Sequence, residues 1–457
     1  MKIASEFMPA ISLYLHCHQP QRMKKYSVFD IGSNNPYFDE AMNGAILDRI
    51  AKKSYLPTNR MLLGLIRNSQ GRFKVSMSIT GILLEQLEKR FPEVLKSFQD
   101  LVETGCCELV SETYYHSLAA LYSKDEFVAQ VDQQKKKFEQ LFSFTPAVFR
   151  NTELMYTNAV AKTVEEMGFK GILAEGWDKV LGWRTANFVY RAKDTNIALL
   201  MRNYRLSDDI AFRFSNRGWK EWPLTSEKYT DWVNQANIGK TAQTINLFMD
   251  YETFGEHQWE ETGIFNFFEA FVWRALEHPQ NSFKTLSQLI ELYEPVDSVD
   301  VPYPLSWADT ERDLSAWLGN TMQQSALQRV YSLEGKIKEA GDEDLLDDWR
   351  KLQTSDHFYY MCTKWFSDGD VHKYFNPYES PYESYIAFMN IIGDLEMRIA
   401  GAISEKNRTA LAARSIRQDI DEEIARTIAK TDRKNGNKKR SQTTYLSREK
   451  PLVGKRA

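Results

Sequence analysis

The chain has 457 residues, of which 43% are hydrophobic and 26% charged, and its formal net charge is −4. This length and apolar content predict one large globular domain with a smaller companion, and they exclude an intrinsically disordered protein. The charge is unevenly spread, because residues 430–457 carry ten Lys and Arg against two carboxylates, or +8, which leaves −12 on the remaining chain. This basic tail has few large apolar residues and no RNA-binding pattern, so we expect disorder there and no nucleic-acid partner.

The cysteines and the hydropathy pattern predict a reducing compartment. Cys17, Cys106, Cys107 and Cys362 show no CxxC spacing, and the adjacent pair cannot form a disulfide with each other without strain. The N-terminus lacks the basic and long apolar regions of an export signal, and no apolar run approaches about 18 residues. We therefore expect a cytoplasmic protein with no membrane partner.

Short apolar runs alternate with helical stretches in the first half of the chain. Strands that alternate with helices predict βαβ units around a parallel sheet, and about seven runs fit either a barrel, which could be incomplete, or a doubly wound sheet. From about residue 262, long amphipathic segments follow one another, which predicts a helical region. The strand-like runs are residues 11–17, 73–79, 106–110, 147–150, 171–174, 198–201 and 244–249.

Two histidines mark the end of the first predicted strand. Side chains alternate along this strand, so His16 and His18 share one face at its C-terminal end, where the active sites of barrels and α/β proteins gather. Imidazoles two residues apart could bind zinc or donate hydrogen bonds to a substrate, and His16 could also be structural. The sequence shows no evident third metal ligand, which favours substrate contact over a metal.

Polar groups also follow the third and fourth apolar runs. Glu112 and His116 could contact a substrate, or they could merely cap an element and face solvent. Glu153 has possible donors beside it in Arg150 and Asn151, which would keep its carboxylate ionised, as a nucleophile requires. The alternative for Glu153 is an early-helix residue stabilised by the helix dipole.

The densest cluster of ionisable groups follows the seventh apolar run. Side chains alternate along an extended strand, so Asp250 and Glu252 should project the same way, with His257 in the loop beyond. Like charges this close raise each other's pKa, which is one way in which proteins prepare general acids. Paired with Glu153, an acid at Asp250 indicates a retaining glycosidase, whose two carboxyl groups lie about 5 to 5.5 Å apart.

Five segments in order resemble the motif set of glycoside hydrolase family 57, particularly its α-amylase-like branch. They are LHCHQP, CELVSETYYHSL, FRNTEL, MDYETFGEH and WADTERDLSAWLGNTMQ, and the match spans residues 13–323. The resemblance implies an α/β fold, with an incomplete parallel (β/α)7 barrel at 1–261 followed by an α-helical region at 262–429 that contributes to the active site. It also implies retaining action on α-1,4-glucans, with no cofactor and no obligatory metal.

The resemblance assigns a role to each matching residue. Glu153 matches the family nucleophile, Asp250 matches its general acid/base, and His18 matches the substrate-contacting histidine of the first motif. The last motif lines the site from the helical part in the family. The predicted substrate-binding set is His16, His18, Glu112, His116, Glu252, His257, Trp307, Asp309 and Asp313.

Three other activities stay open at this point. A 4-α-glucanotransferase shares the covalent step and differs in whether water or a sugar hydroxyl resolves the intermediate. The His16-x-His18 pattern, with acidic clusters on a similar barrel, also fits a metal-dependent carbohydrate deacetylase. A sugar-binding protein without turnover is disfavoured, because both candidate catalytic carboxylates are present. The sequence does not determine chain-length preference, α-1,4 against α-1,6 selectivity or oligomeric state.

Overall fold

The computed structural model describes residues 9–236, 242–278, 281–364 and 376–445, with side chains described through Arg433. The strands in this part of the chain are β1 (Ala10–Cys17), β2 (Val75–Ile79), β3 (Cys107–Leu109), β4 (Val148–Phe149), β5 (Gly171–Glu175), β6 (Val189–Ala192), β7 (Ala198–Arg202), β8 (Thr244–Asp250), β9 (Ser282–Phe283) and β10 (Ser298–Val299). The helices of the barrel half are α1 (Glu40–Ile50), α2 (Leu56–Asn68), α3 (Gly81–Arg90), α4 (Pro92–Glu103), α5 (Ala119–Tyr122), α6 (Lys124–Phe142), α7 (Asn158–Glu166), α8 (Asp178–Leu181), α9 (Tyr204–Ala211) and α10 (Ser226–Gln235). Those that follow are α11 (Ile264–Glu277), α12 (Leu286–Leu292), α13 (Ser315–Leu318), α14 (Thr321–Ser332), α15 (Glu334–Ala340), α16 (Glu343–Lys351), α17 (Ser355–Tyr359) and α18 (Pro381–Tyr445).

Seven strands form an incomplete barrel. In one sheet β3, β2, β1 and β8 pair side by side, and in the other β4, β5 and β7 do so, all in parallel. A bridge between Ser111 and Phe149 joins the two sheets after β3 and at β4. At the other seam, the Asn246 side chain donates to Met201 O at 2.8 Å, and its backbone carbonyl accepts from the Asn203 amide at 2.9 Å. These seven strands correspond to the seven predicted runs, and the α/β barrel with a helical region after it is confirmed.

The barrel strands are buried on both faces, as parallel strands covered by helices are. All residues of β1, β2, β5 and β7 are buried. Leu13 and Leu15 belong to the outer apolar cluster formed with the surrounding helices, whereas Tyr14 and Phe248 pack edge to face in a separate cluster inside the barrel. The alternation along β1 therefore places His16, two residues after Tyr14, on the inner side at the mouth of the barrel.

Three short strands were not predicted. β6 pairs antiparallel with β7, so the second sheet is mixed, and the two-residue strands β9 and β10 pair in parallel with β1 and β6. β9 and β10 each contain a single apolar residue, and β6 contains an exposed arginine, so none of the three is a continuous apolar run in the sequence. Because β9 and β10 lie beyond residue 261, the sheets extend past the expected end of the barrel region; the division into regions stays a prediction.

The helical region reaches the barrel through α17. The Ser355 amide donates to His116 O at 2.9 Å, and the Thr354 hydroxyl donates to Tyr115 O at 2.9 Å. Both acceptors belong to the loop that follows β3, which carries predicted site residues. A segment that is distant in sequence therefore covers one side of the barrel mouth.

The last helix differs from the expectation for the basic tail. α18 runs to Tyr445, so the part of the tail from 430 to 445 is helical, and the expectation of disorder is wrong there; residues 446–457 lie outside the described residues. Helix formation is costly at its nucleus and favourable on extension, so a basic segment without its own apolar face can continue an existing helix. No helix in the described part of the chain is long and apolar enough to cross a membrane.

Candidate active site

Four of the predicted site residues lie together where four barrel strands end. His16 on β1 is the register neighbour of Asp250 on β8, while Glu112 and Glu153 follow β3 and β4. These strand ends surround a cavity of about 330 Å³, which lies within the usual size range of small-molecule sites. Both candidate catalytic carboxylates, Glu153 and Asp250, line this cavity.

A continuous chain of side-chain contacts joins Glu153 to Asp250. His116 Nε2 lies 3.1 Å from Glu153 Oε1, and His116 Nδ1 lies 3.0 Å from Glu112 Oε2. Glu112 lies 3.2 Å from His16 Nε2, and His16 Nδ1 lies 3.5 Å from Asp250 Oδ1. The two candidate catalytic groups therefore belong to one buried network.

Glu153 is held in one orientation by its backbone and by its partners. Its backbone is left-handed, with φ 55° and ψ 28°, a conformation that costs a non-glycine residue about 1–3 kcal/mol. The Trp307 indole Nε1 donates to Oε2 at 2.8 Å, and the Ser355 hydroxyl donates to Oε1 at 3.4 Å. Donors on both oxygens favour the ionised carboxylate and fix its direction.

Other residues of the cavity wall share this strained backbone. His116 has φ 52°, Asp309 has φ 54° and Arg312 has φ 50°, and all three line the cavity with Glu153. Strained non-glycine residues persist only where the surrounding structure enforces them, and they cluster at functional sites. Their concentration here supports this cavity as the functional site.

Asp250 and His16 form a coupled acid–base pair. Burial raises the pKa of Asp250, but the hydrogen bond and charge of His16 outweigh burial, and the pKa is lowered overall. The pKa of His16 is raised, because Glu112 and Asp250 outweigh the opposing effects of burial and Arg150. The charge of Glu153 raises the pKa of Asp250 as expected for a neighbouring carboxylate, but the effect of His16 is larger. The two shifts together favour a protonated His16 beside an ionised Asp250.

The raised carboxyl pKa belongs to Glu252 instead. Burial, together with the negative charge of Asp250, raises the pKa of Glu252 to about 8. Its Oε1 accepts hydrogen bonds from the Tyr55 hydroxyl at 2.5 Å and from Gln19 Nε2 at 3.3 Å. Glu252 lines the cavity and is protonated at neutral pH, so it adds no second negative charge beside Asp250.

His18 links the barrel to the helical region. Its Nδ1 lies 3.0 Å from the Thr80 hydroxyl, and its Nε2 lies 3.1 Å from Asp356 Oδ2 on α17. Its ring stacks on His116 with 4.1 Å between ring centroids. Burial and the nearby His116 lower the pKa of His18 to about 4, so the ring is neutral at neutral pH.

The sequence as a whole has identifiable relatives. The family model of "Glycosyl hydrolase family 57" matches residues 12–302, which is more than half of the chain. The chain belongs to glycosyl hydrolase family 57. A Methanocaldococcus jannaschii protein named "Putative alpha-amylase" is 40% identical over 405 residues, which cover 85% of this chain and 84% of that protein. The resemblance predicted from five motifs is thus confirmed, and the protein is a glycoside hydrolase.

Two more distant relatives carry other names. A "4-alpha-glucanotransferase" of Thermococcus litoralis is 23% identical over 163 residues, which cover 36% of this chain and 21% of that protein. The crystal structure of a family 57 branching enzyme from Thermococcus kodakaraensis aligns with a TM-score of 0.61 at 16% identity, over 80% of this chain and 87% of that one. At this identity the structural likeness shows the fold alone.

Two predicted substrate contacts of this family 57 protein are placed elsewhere. Glu112 is fully buried beneath the cavity, where it contacts both histidines of the network and lies 3.6 Å from Arg150, so it supports the site without touching its surface. Asp313 is exposed and lies outside the cavity. Its carboxylate accepts a hydrogen bond from the Ser315 amide at 2.8 Å, at the start of α13. The others line the cavity, and their contact with substrate stays a prediction: His16, His18, His116, Glu252, His257, Trp307 and Asp309.

Some charged residues that line the cavity were not predicted from the sequence. Arg202 ends β7, and its guanidinium lies 3.0 Å from Glu175 and in contact with Asp208. A charged residue at the end of an apolar strand was the available signal for Arg202. Asp356 comes from a short helix in an amphipathic segment, and its sequence context carries no such signal.

In the described part of the chain, two groups of side chains could hold a metal ion. His16, Glu112 and His116 form one, and His18, His116 and Asp356 form the other, each with ligand atoms within 4.8 Å of one another. The third ligand that the sequence did not reveal is therefore present. However, both groups need His116, whose two nitrogens contact the carboxylates of Glu112 and Glu153. An ion would break the contact chain, so the donor set fits hydrogen bonding better than metal binding.

Proposed function

We propose that this protein is a retaining hydrolase of α-1,4-glucans such as starch, glycogen or maltooligosaccharides, of the α-amylase type. Glu153 is the nucleophile and Asp250 is the general acid/base. The observation that carries this proposal is the contact chain that couples the two carboxylates through His116, Glu112 and His16. The name of the 40% identical relative supports the substrate class.

In the first step, an oxygen of Glu153 bonds to the anomeric carbon while the bond from that carbon to the glycosidic oxygen breaks. Asp250 gives a proton to the departing oxygen, so the leaving chain departs as a neutral alcohol. Trp307 and His116 each donate to one oxygen of Glu153, which keeps the carboxylate aimed before and after it reacts.

In the second step, water replaces Glu153 at the anomeric carbon. Asp250, now ionised, takes a proton from that water as its oxygen bonds to the carbon and the bond to Glu153 breaks. Two displacements at one carbon return the original anomeric configuration. Glu153 leaves as a carboxylate, and Asp250 is protonated again.

The His16–Asp250 pair supplies the proton for the first step. The opposite shifts in the two pKa values favour the proton on His16 before a glucan binds. A bound glucan excludes water from the cavity, which destabilises an ion pair more than a neutral pair. The proton then passes from His16 Nδ1 to Asp250, which becomes the acid. This gives His16 a role beyond substrate contact.

The second candidate is 4-α-glucanotransferase activity, which the name of the Thermococcus litoralis relative supports. Hydrolysis and transfer differ only in whether water or a sugar hydroxyl accepts the glycosyl group. Incubation with maltotriose separates them, because hydrolysis yields glucose and maltose alone, whereas transfer also yields oligosaccharides longer than the substrate. We expect glucose and maltose to dominate.

A metal-dependent deacetylase would require an ion at one of the two histidine groups. We expect starch hydrolysis to survive exhaustive chelation, because every step above uses only side chains of this protein. Metal analysis of the purified protein serves as the control. Loss of activity on chelation, with recovery on addition of zinc, would contradict the proposal.

Alanine variants of the two carboxylates separate their roles. Glu153→Ala and Asp250→Ala should each lower reducing-sugar release from soluble starch, by roughly 100- to 10,000-fold for the acid/base. Azide should restore turnover of an activated α-maltoside in both. In Asp250→Ala, azide attacks the glycosyl-enzyme and gives the α-azide, whereas in Glu153→Ala it attacks the substrate from the opposite face and gives the β-azide.

Asp313→Ala is the matched control, because Asp313 lies outside the cavity, and it should retain wild-type activity. Undiminished activity in Glu153→Ala or in Asp250→Ala would contradict the assignment. Formation of the same azide anomer by both variants would also contradict it.

A further inference from the structure

α18 continues far beyond the body of the protein. Its first turns are packed, with Phe388, Ile391, Leu395 and Ile399 buried. From residue 404 to residue 433, by contrast, every residue is exposed. At a rise of 1.5 Å per residue, this helical extension (residues 404–433) is about 45 Å long. Helices of this kind gain most of their stability from tertiary packing, which the extension lacks among the residues that the structure describes.

A stripe of isoleucines runs along one face of the helical extension. Ile416, Ile420, Ile424 and Ile428 recur every four residues, and each side chain is between 51% and 59% exposed. Helical spacing places this isoleucine stripe on the same side of α18 as the buried Leu395. The face of α18 that is buried at Leu395 thus continues as an exposed apolar face from Ile416 to Ile428. A contiguous exposed apolar strip of this kind marks an interaction surface.

One edge of the isoleucine stripe has a self-complementary charge order. Asp419, Glu423, Arg426 and Lys430 follow one another along it as acid, acid, base, base. A second copy running in the opposite direction, centred on Ile424, would set Asp419 against Lys430 of the partner subunit and Glu423 against Arg426 of the partner subunit. Opposite charges placed across an interface in this way select partner and direction.

A parallel arrangement lacks this match. In register, it would bring Glu423 level with Asp421 of the partner subunit and Asp419 level with Arg417 of the partner subunit, so one like-charged contact offsets one opposite-charged contact. Within one chain, Arg426 lies 3.3 Å from Glu422, but both side chains are more than half exposed, and such surface pairs exchange partners at little cost.

We propose that this protein forms a symmetric dimer by antiparallel pairing of two helical extensions, with Ile424 at the twofold axis. Ile420 then packs on Ile428 of the partner subunit, and the interface closes with the same surface on both copies. Two such extensions centred on Ile424 overlap over residues 415–433, which is about 28 Å of helix. A strip about 10 Å wide over that length on each chain removes roughly 600 Å² from water, which is below the size of stable interfaces, so the dimer is weak and reversible. The described residues that line the catalytic cavity lie outside the extension, so the dimer is independent of the proposed activity.

Sedimentation velocity of the full chain over a range of concentrations tests the dimer. The wild type should approach twice the monomer mass as its concentration rises, and Ile424→Glu should remain a monomer. Leu411→Glu is the matched control, because Leu411 is 65% exposed on the opposite face of the same helix and should leave the dimer intact. Equal circular dichroism and starch hydrolysis in all three proteins show that the fold is unchanged. A wild type that stays monomeric, or a dimer unaffected by Ile424→Glu, overturns the proposal.

The direction of pairing has its own test. Glu423→Arg should weaken the dimer, and the double variant Glu423→Arg with Arg426→Glu should restore it, because the exchanged pair is again complementary when reversed. Under oxidation, Ile424→Cys should cross-link to itself, whereas Thr409→Cys, on the same face but far from the axis, should not. Equal cross-linking at both positions indicates a parallel dimer and overturns the antiparallel arrangement.

Discussion

Trp307→Phe removes a single hydrogen bond from the proposed nucleophile. The indole Nε1 donates to Glu153 Oε2 at 2.8 Å, and the ring also lies under the guanidinium of Arg150 at 5.0 Å. Phenylalanine keeps an aromatic ring there but has no N–H. The variant therefore tests the hydrogen bond with little change to the surrounding packing.

The magnitude follows from the kind of bond that is lost. A hydrogen bond to a charged group contributes about 1.5–3 kcal/mol, and each 1.36 kcal/mol in the barrier is about tenfold in rate, so kcat/KM should fall roughly 10- to 100-fold. The other oxygen of Glu153 keeps its contact with His116, so some activity should remain. Initial rates on a chromogenic maltooligosaccharide measure this loss.

Trp317→Phe is the matched control for this prediction. Trp317 is fully buried, and its indole N–H has no hydrogen-bond partner among the described residues. This variant should lose stability through the smaller ring, yet keep its catalytic rate when measured well below its Tm. Activity of Trp307→Phe within twofold of the wild type, or equal losses in the two variants, would refute the role given to the indole.

Two further predictions concern the buried carboxyl groups. The pKa of Glu252 is raised to about 8, so this group stays protonated in the folded protein up to that pH. In the unfolded chain it ionises above its ordinary pKa of 4.5. The free energy of unfolding should therefore fall as pH rises from 4.5 to about 8. Urea denaturation across this interval should show that Glu252→Gln lacks that decline; an unchanged slope argues against the shift. Glu112→Gln leaves Arg150 and two histidines without their buried counter-charge, which should cost about 3–5 kcal/mol of unfolding free energy. The exposed control Glu422→Gln should cost under about 1 kcal/mol, and a similar small loss in Glu112→Gln would contradict the network.

The seven barrel strands could be predicted because each is an apolar run buried on both faces. β6, β9 and β10 could not, since each contains a polar residue and none is a continuous apolar run. The extension of α18 was missed for a related reason. The composition of residues 430–445 shows that they have few apolar side chains for packing, but it does not show that they continue a helix that begins earlier in the chain.

In the site, too, the positions of residues at strand ends could be predicted from the sequence, whereas the contacts that form on folding could not. Glu153 and Asp250 could be singled out from their positions at strand ends, and the cavity brings both together. The burial of Glu112 and the capping role of Asp313 depend on what packs around them, which no spacing reveals. The lowered pKa of Asp250 depends on His16, which is distant in sequence but lies against Asp250.

The most direct test of the account is to trap the covalent intermediate. A 5-fluoro α-glycosyl fluoride slows both steps and leaves the sugar on the nucleophile long enough for mass spectrometry of the intact protein and its peptides. We predict one added sugar, attached to Glu153 and absent in Glu153→Ala. A label on Asp250 or Glu252, or a Glu153→Ala variant that still labels, would contradict the central claim.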